Sequence, residues 1–297
     1  MAEAIIPLDS NWLRAHPLPV PAHNTDKNAR GRVCVVGGSR MVPGGVALTA
    51  EAALRAGAGK VRVATIASCA IGLGIALPEV GILALDETSD GHVDISRVAP
   101  EHLPDHCDAL VLGPAMWSKD AAADLIAALI VSHNDDANSP VYILDAAALG
   151  ALPAFAETTG GRRHPLVLTP HAGELADLTG YSAEEIDADP CGVLREAVET
   201  FDAVVMLKGA TSYVSAPGEG IYGFAGGGAG LATGGSGDVL AGIVAGLAAR
   251  GAPPFEALLW AIWLHGEAGR RCAEQIGSIG YLSRELLVRI PGLMHAI

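Results

Sequence analysis

Three stretches of this chain put reactive or phosphate-holding residues where strands and helices meet. The first is residues 226–242, GGGAGLATGGSGDVLAG, a glycine-dense loop running straight into an apolar helix. Such a junction is an anion hole: the N–H groups of Gly235, Ser236 and Gly237 would be free at a helix N-terminus, where unpaired donors and the macrodipole favour phosphate. Asp238 would then lie beside that phosphate and could take a proton from a substrate hydroxyl. Taken alone, an aspartate there is also an ordinary first-turn residue of a helix; the glycines crowded upstream favour the phosphate reading. The second stretch is Lys208, Gly209, Ala210, Thr211 and Ser212: a cation at a strand tip, a turn glycine, and hydroxyls able to bond ribose or phosphate. A hairpin turn with a snorkelling lysine is the plainer alternative. The third is residues 169–174, TPHAGE, in which His171 and Glu174 would open a helix, although a lone histidine at such a junction is more often structural.

These residues need elements that bring them to one edge. From Gly31 onward, short β-branched runs at residues 33–36, 61–64, 109–112, 141–144, 166–169 and 203–207 are separated by Ala-rich stretches of helical length. That alternation predicts a largely parallel sheet with helices on both faces, hence a three-layer α/β/α class. Ligands of such sheets bind outside the carboxyl ends of the strands. The residues just past each run are Gly37 and Gly38, Gly113 and Pro114, Asp145, Pro170 and His171, and Lys208 and Gly209. Residues 211–214 and 221–224 read as a hairpin at an antiparallel margin. Two long helices are expected at residues 237–250 and 254–272. Residues 1–30, with Pro7, Pro17, Pro19 and Pro21 and no sustained apolar period, read as an arm before a single domain over residues 31–297.

Composition removes several function classes. The 297 residues carry 19 Lys and Arg against 33 Asp and Glu, a net charge of −14, which opposes a nucleic-acid partner. The longest uncharged apolar stretch, residues 239–249, is far shorter than the roughly 20 residues of a membrane helix, so no membrane partner is expected. Five cysteines without a CxxC pair, and a start lacking a secretory signal, give a reducing, cytoplasmic location as the expectation. The GxGxxG match at residues 218–223 lies in the hairpin with no helix after it, and Gly57-Ala-Gly-Lys60 lacks the following Ser or Thr of a P-loop; both are set aside. So are His265 and Glu267 on the last long helix, read as core or supporting residues.

Taken together and in order, the segments GRVCVVGGS (31–39), AALRAGAG (52–59), LDAAAL (144–149), LTPHAGE (168–174), LKGAT (207–211), ATGGSGDVLAG (232–242) and LHG (264–266) resemble the ribokinase-like superfamily. Within it they resemble the ADP- or ATP-dependent NAD(P)H-hydrate dehydratases. The resemblance implies a ribokinase-like fold and a repair lyase. It would return the S-epimer of NADHX or NADPHX to NAD(P)H, with ADP, or alternatively ATP, as phosphoryl donor, Mg²⁺ on the phosphates, and, with ADP, AMP and phosphate released. It makes Asp238 the base and a substrate contact, His171 a further substrate contact, and residues 208–212 with Gly235, Ser236 and Gly237 the nucleotide site. The family's Gly-Pro-Gly-x-Gly loop reads GPAMW here, so only Gly113 is carried over; Gly45 stands where a contacting alanine is usual. The resemblance also implies a homotetramer and a hydrate epimerase, here expected on a separate chain. A superfamily kinase of a hydroxymethyl vitamin precursor needs the same loop and aspartate and is the alternative enzyme. A nucleotide-binding regulator without turnover is the alternative from another class.

Overall fold

The computed structural model describes residues 4–97, 103, 105–131, 139–155 and 166–297. Its strands are β1 (Ile6–Pro7), β2 (Arg32–Val36), β3 (Lys60–Ile66), β4 (Gly81–Leu85), β5 (Ala109–Leu112), β6 (Val141–Leu144), β7 (Leu166–Leu168), β8 (Val204–Leu207), β9 (Ser212–Ser215) and β10 (Tyr222–Phe224). They form one sheet in the order β1-β10-β9-β8-β7-β6-β5-β2-β3-β4. Pairing is parallel throughout except where β9 meets β8 and β10.

The central strands β2 and β5–β8 are buried on both faces, which explains why they are near-continuous apolar runs and do not alternate with polar residues. Successive residues point to opposite sides. Val33, Val35, Val63, Val111, Ile143 and Val167 join one core with the helices Gly45–Arg55, Ser236–Ala249 and Pro254–Gln275. Cys34, Val36, Leu110, Leu112, Leu144 and Leu168 join the other, with Lys119–Ile126, Ala147–Ala151, Ala172–Thr179 and Pro190–Phe201. The three-layer α/β/α ribokinase-like class therefore holds. The apolar stretch 239–249 is a buried helix, and no helix among the described residues is long and apolar enough to cross a membrane. None of the five cysteines forms a disulfide among the described residues.

Two strands escaped the sequence reading. The edge strand β4 follows the uncharged helix Ala67–Ala76 after only residues 77–80, and its GILAL run has a single β-branched residue and no alternation to mark it as a strand. The proline-rich start, read as irregular, supplies β1 and the helix Ser10–Ala15, capped by Asp9. Its buried Leu13 and a hydrogen bond from Trp260 Nε1 to His16 O (2.7 Å) hold it against the body. Consequently the 212–224 hairpin is not the sheet margin, because β1 pairs outside β10.

One close packing positions the site. The helices Gly45–Arg55 and Ser236–Ala249 lie against each other through Gly242 and Gly246, where a side chain would run into the Thr49 and Ala53 carbonyl oxygens. That approach fixes the N-terminus of the second helix relative to the strand tips.

Candidate active site

A cavity of about 1020 Å³ opens at the carboxyl ends of β5, β6, β7 and β8. Each strand delivers its next residues to the wall: Ala115 and Met116 after β5, Asp145 and Ala146 after β6, His171 and Glu174 after β7, and Lys208, Gly209 and Ala210 after β8. The glycine loop and first turn of Ser236–Ala249 close the opposite side. Two non-glycine residues of this wall, Ala115 (φ 55°) and Ala146 (φ 50°), hold positive φ. Backbone strain of this kind concentrates at functional sites.

Lys208 is the electrostatic centre. Its Nζ donates to Asp145 Oδ1 (3.0 Å) and lies 3.5 Å from Glu174 Oε2, while Thr169 Oγ1 donates to the same Asp145 Oδ1 at 2.8 Å. Burial disfavours the ammonium charge, but the two carboxylates outweigh it and hold the Lys208 pKa above its usual value. The cation stays charged and points at the ligand space: a Cβ placed on Gly237 would lie 3.7 Å from both Lys208 Nζ and Asp145 Oδ2.

Asp238 has the opposite balance. Burial, reinforced by the nearby Asp145 charge and only partly offset by Lys208, pushes its carboxyl up to about 7. A carboxylate with that pKa is a usable base near neutrality. Gly45 lies directly against it, since a Cβ there would stand 3.1 Å from Asp238 Oδ2 and 2.6 Å from Ala115 Cβ. At the helix start the expectation of three free N–H groups needs correction. Gly235 is the cap in left-handed conformation (φ 88°), and the Ser236 N–H donates to Thr233 O (3.2 Å). The turn 233–236 consumes that donor alone: the N–H groups of Gly235 and Gly237 stay open, as does that of Asp238.

Comparison with known proteins fits this geometry. The sequence profile of a family described as NAD(P)H-hydrate dehydratase matches residues 33–292. The chain is 43% identical over 285 residues to the ADP-dependent (S)-NAD(P)H-hydrate dehydratase of Xanthomonas campestris pv. campestris, covering 96% of this chain and 94% of that protein. The chain belongs to the NAD(P)H-hydrate dehydratase family. A bifunctional NAD(P)H-hydrate repair enzyme of Moorella thermoacetica is 36% identical over 290 residues, and the chain spans about half (53%) of its length. Among solved structures, the ADP/ATP-dependent NAD(P)H-hydrate dehydratase of Bacillus subtilis, co-crystallised with ATP/Mg²⁺, superimposes with TM-score 0.81 at 23% identity over 98% of each chain. A hydroxyethylthiazole kinase from Pyrococcus horikoshii reaches only 0.55 at 17% identity, over 91% and 90%, so the vitamin-kinase alternative survives only as a distant relative in fold.

In this dehydratase-family chain, Asp238, His171, Lys208, Gly209, Ala210, Ser212, Gly235, Ser236 and Gly237 all line the one cavity. Thr211, Gly113 and Gly45 do not; Gly45 lies behind the wall, against Asp238 and Ala115. Gly113 (φ 105°) instead turns the backbone beneath it, where a side chain would collide with the Asp145 carbonyl. His171 also caps the helix Ala172–Thr179: Nδ1 accepts from the N–H of Gly173 (3.0 Å) and Glu174 (3.3 Å), and Glu174 Oε2 accepts the His171 N–H (2.8 Å). Its Nε2 lies 3.6 Å from the other oxygen of the same carboxylate, Glu174 Oε1. Three wall residues went unassigned in the sequence reading. Asp145 and Glu174 were visible as a strand-tip residue and a motif residue, but nothing local shows that both pair with Lys208. His265 gave no signal beyond its LHG segment, yet it lines the cavity from the helix Pro254–Gln275.

Proposed function

We propose that this chain dehydrates the S-epimer of NAD(P)H hydrate to NAD(P)H, using the terminal phosphate of ADP and releasing AMP and phosphate. The observation that carries the reading is the Asp238 carboxylate, raised to about 7 by burial, beside the open N–H groups of a helix start and across from Lys208. In this reading the hydrate sits on the Gly45, Gly113 and His171 side and the nucleotide on the side of residues 208–212 and 235–237. Asp238 takes the proton of the ring hydroxyl as its oxygen bonds to the terminal phosphorus and the bond to the AMP oxygen breaks. Lys208 and the Gly237 and Asp238 N–H groups stabilise the charge on the transferring group, and catalysis of this kind is mostly positioning and electrostatics. The ring nitrogen lone pair then expels phosphate from the ring carbon, and loss of a proton from the neighbouring carbon restores the double bond.

The donor set bears on magnesium. No group of three or more His, Cys, Asp or Glu able to hold a metal exists among the described residues. That fits Mg²⁺, which is commonly carried by substrate phosphates with one or two carboxylates. Asp145 would hold it through Oδ2, the oxygen that neither Lys208 nor Thr169 takes, with Glu174 nearby. Bound there, the ion would neutralise charge on the phosphates. The same reading takes residues 31–297 as one catalytic domain, working as a cytoplasmic homotetramer alongside a hydrate epimerase.

Recovery of the reduced-nicotinamide absorbance from NADHX, with Mg²⁺ and either ADP or ATP, tests the reading. Recovery with ADP that disappears in Asp238→Asn supports it. Protein that binds nucleotide but restores no absorbance with either donor refutes it.

A further inference from the structure

We propose that His265 is a positioning residue for the transfer step: by donating from Nε2 to Ser236, it directs the Ser236 hydroxyl hydrogen toward the terminal phosphate of the nucleotide. The proposal rests on the dehydratase reading above and adds a residue to it.

The argument begins with two contacts of one nitrogen. His265 Nε2 lies 3.1 Å from the Ser236 carbonyl oxygen and 3.0 Å from Ser236 Oγ. A carbonyl oxygen can only accept, so Nε2 carries the hydrogen; the other tautomer would set lone pair against lone pair at 3.1 Å. The Ser236 hydroxyl must then accept from the imidazole and cannot donate to it. With its N–H spent on Thr233 O, Ser236 keeps a single uncommitted donor, the hydroxyl hydrogen, which has no protein acceptor among the described residues. Ser236 is 6% exposed and both residues line the cavity, so the hydrogen has the ligand space as its outlet. A buried hydroxyl left without an acceptor costs free energy unless a ligand supplies one.

The surroundings keep the imidazole neutral. Burial outweighs the bond to Ser236 and, helped by the Lys208 charge, brings its pKa down to about 4. Nε2 is therefore the N–H of a neutral ring, and no second cation competes with Lys208 for the phosphate. The helix Pro254–Gln275 can bring the ring this close because Gly266 and Gly269 carry no side chain where it meets Phe224 of β10 and Leu231 of the glycine loop.

Steady-state kinetics of dehydration by the wild-type chain, Ser236→Ala, His265→Ala, His265→Gln and the Ser236→Ala/His265→Ala double variant test this, with melting curves beside them. Removing a preorganised donor costs on the order of 100-fold in kcat, so Ser236→Ala should fall by that order and His265→Ala by about tenfold or more. KM for NADHX should move less than about threefold in both, because the contact forms to the transferring group and not to the hydrate. The double variant should be no slower than Ser236→Ala, since His265 acts only through that hydroxyl. The glutamine amide replaces the Nε2 donor, so His265→Gln should recover most of the kcat lost in the alanine variant. Losses that multiply in the double variant, a glutamine variant no better than alanine, or a His265→Ala enzyme with wild-type kcat would each overturn the proposal and leave the dehydratase reading intact. Wild-type protein that restores no NADH would overturn both.

Discussion

Replacing Asp238 by asparagine should make the protein more stable while removing its activity, with an effect that depends on pH. The side chains are nearly isosteric, so the change removes charge and little else. In the folded chain the carboxyl is raised from 3.8 to about 7, chiefly by burial. For a group whose folded pKa is raised, the stabilising contribution is complete below the unfolded value and lost as pH rises through the folded one. The wild type is therefore penalised increasingly from pH 4 to pH 7, and asparagine is not. About three pKa units at 1.36 kcal/mol each set a ceiling near 4 kcal/mol; with Asp238 still in contact with the water of an open cavity, about 2 kcal/mol is expected. An unfolding entropy of about 2.1 cal/mol/K per residue over 297 residues converts this to a Tm rise of roughly 3 °C. Paired melts of both proteins from pH 4.5 to 8.5 should show the gap widening up to about pH 7 and flat above it. The kcat/KM of the wild type should rise over the same interval as the base ionises, while Asp238→Asn should lose on the order of 10² to 10⁴-fold. A variant that melts below the wild type at pH 8, or a gap independent of pH, would refute the claim that burial raises this carboxyl.

Lys208→Met should leave Asp145, whose side chain is 6% exposed, without its cation, and cost about 3 kcal/mol, read as a lower denaturant midpoint together with lost nucleotide binding. Gly242→Ala should destabilise by about 1–3 kcal/mol because its methyl meets the Thr49 carbonyl and lies 2.6 Å from Ala52 Cβ. Gly292→Ala, in an open helical position, should be neutral or stabilising in the same denaturation series. Chelation of Mg²⁺ should abolish turnover yet leave the Tm of nucleotide-free protein unchanged, since no set of three metal-binding residues exists among those described. A Tm drop on chelation would point to a resident structural ion.

Local pattern was sufficient wherever a function depends on neighbours in the chain. The strands β2, β5, β6 and β8 coincide with apolar runs to within a residue. The glycine-to-helix junction at residues 235–238 was legible because loop, cap and acid are consecutive. Strand β4 was not, because its GILAL run has one β-branched residue and no alternation, and β1 was not, because two residues carry no period.

By itself, then, the sequence determined the layer class, the strand tips that face the ligand, and the loop and aspartate that could move a proton near a phosphate. These depend on side-chain period and turn chemistry, which act over a few residues. Only the tertiary structure decided what surrounds them. Lys208 meets Asp145 across 63 residues because β7 lies between β6 and β8, and His265 reaches Ser236 across 29 because two glycines bring in its helix. The raised Asp238 carboxyl likewise belongs to no segment. Desolvation and distant charge set it, and both are properties of the packed chain alone.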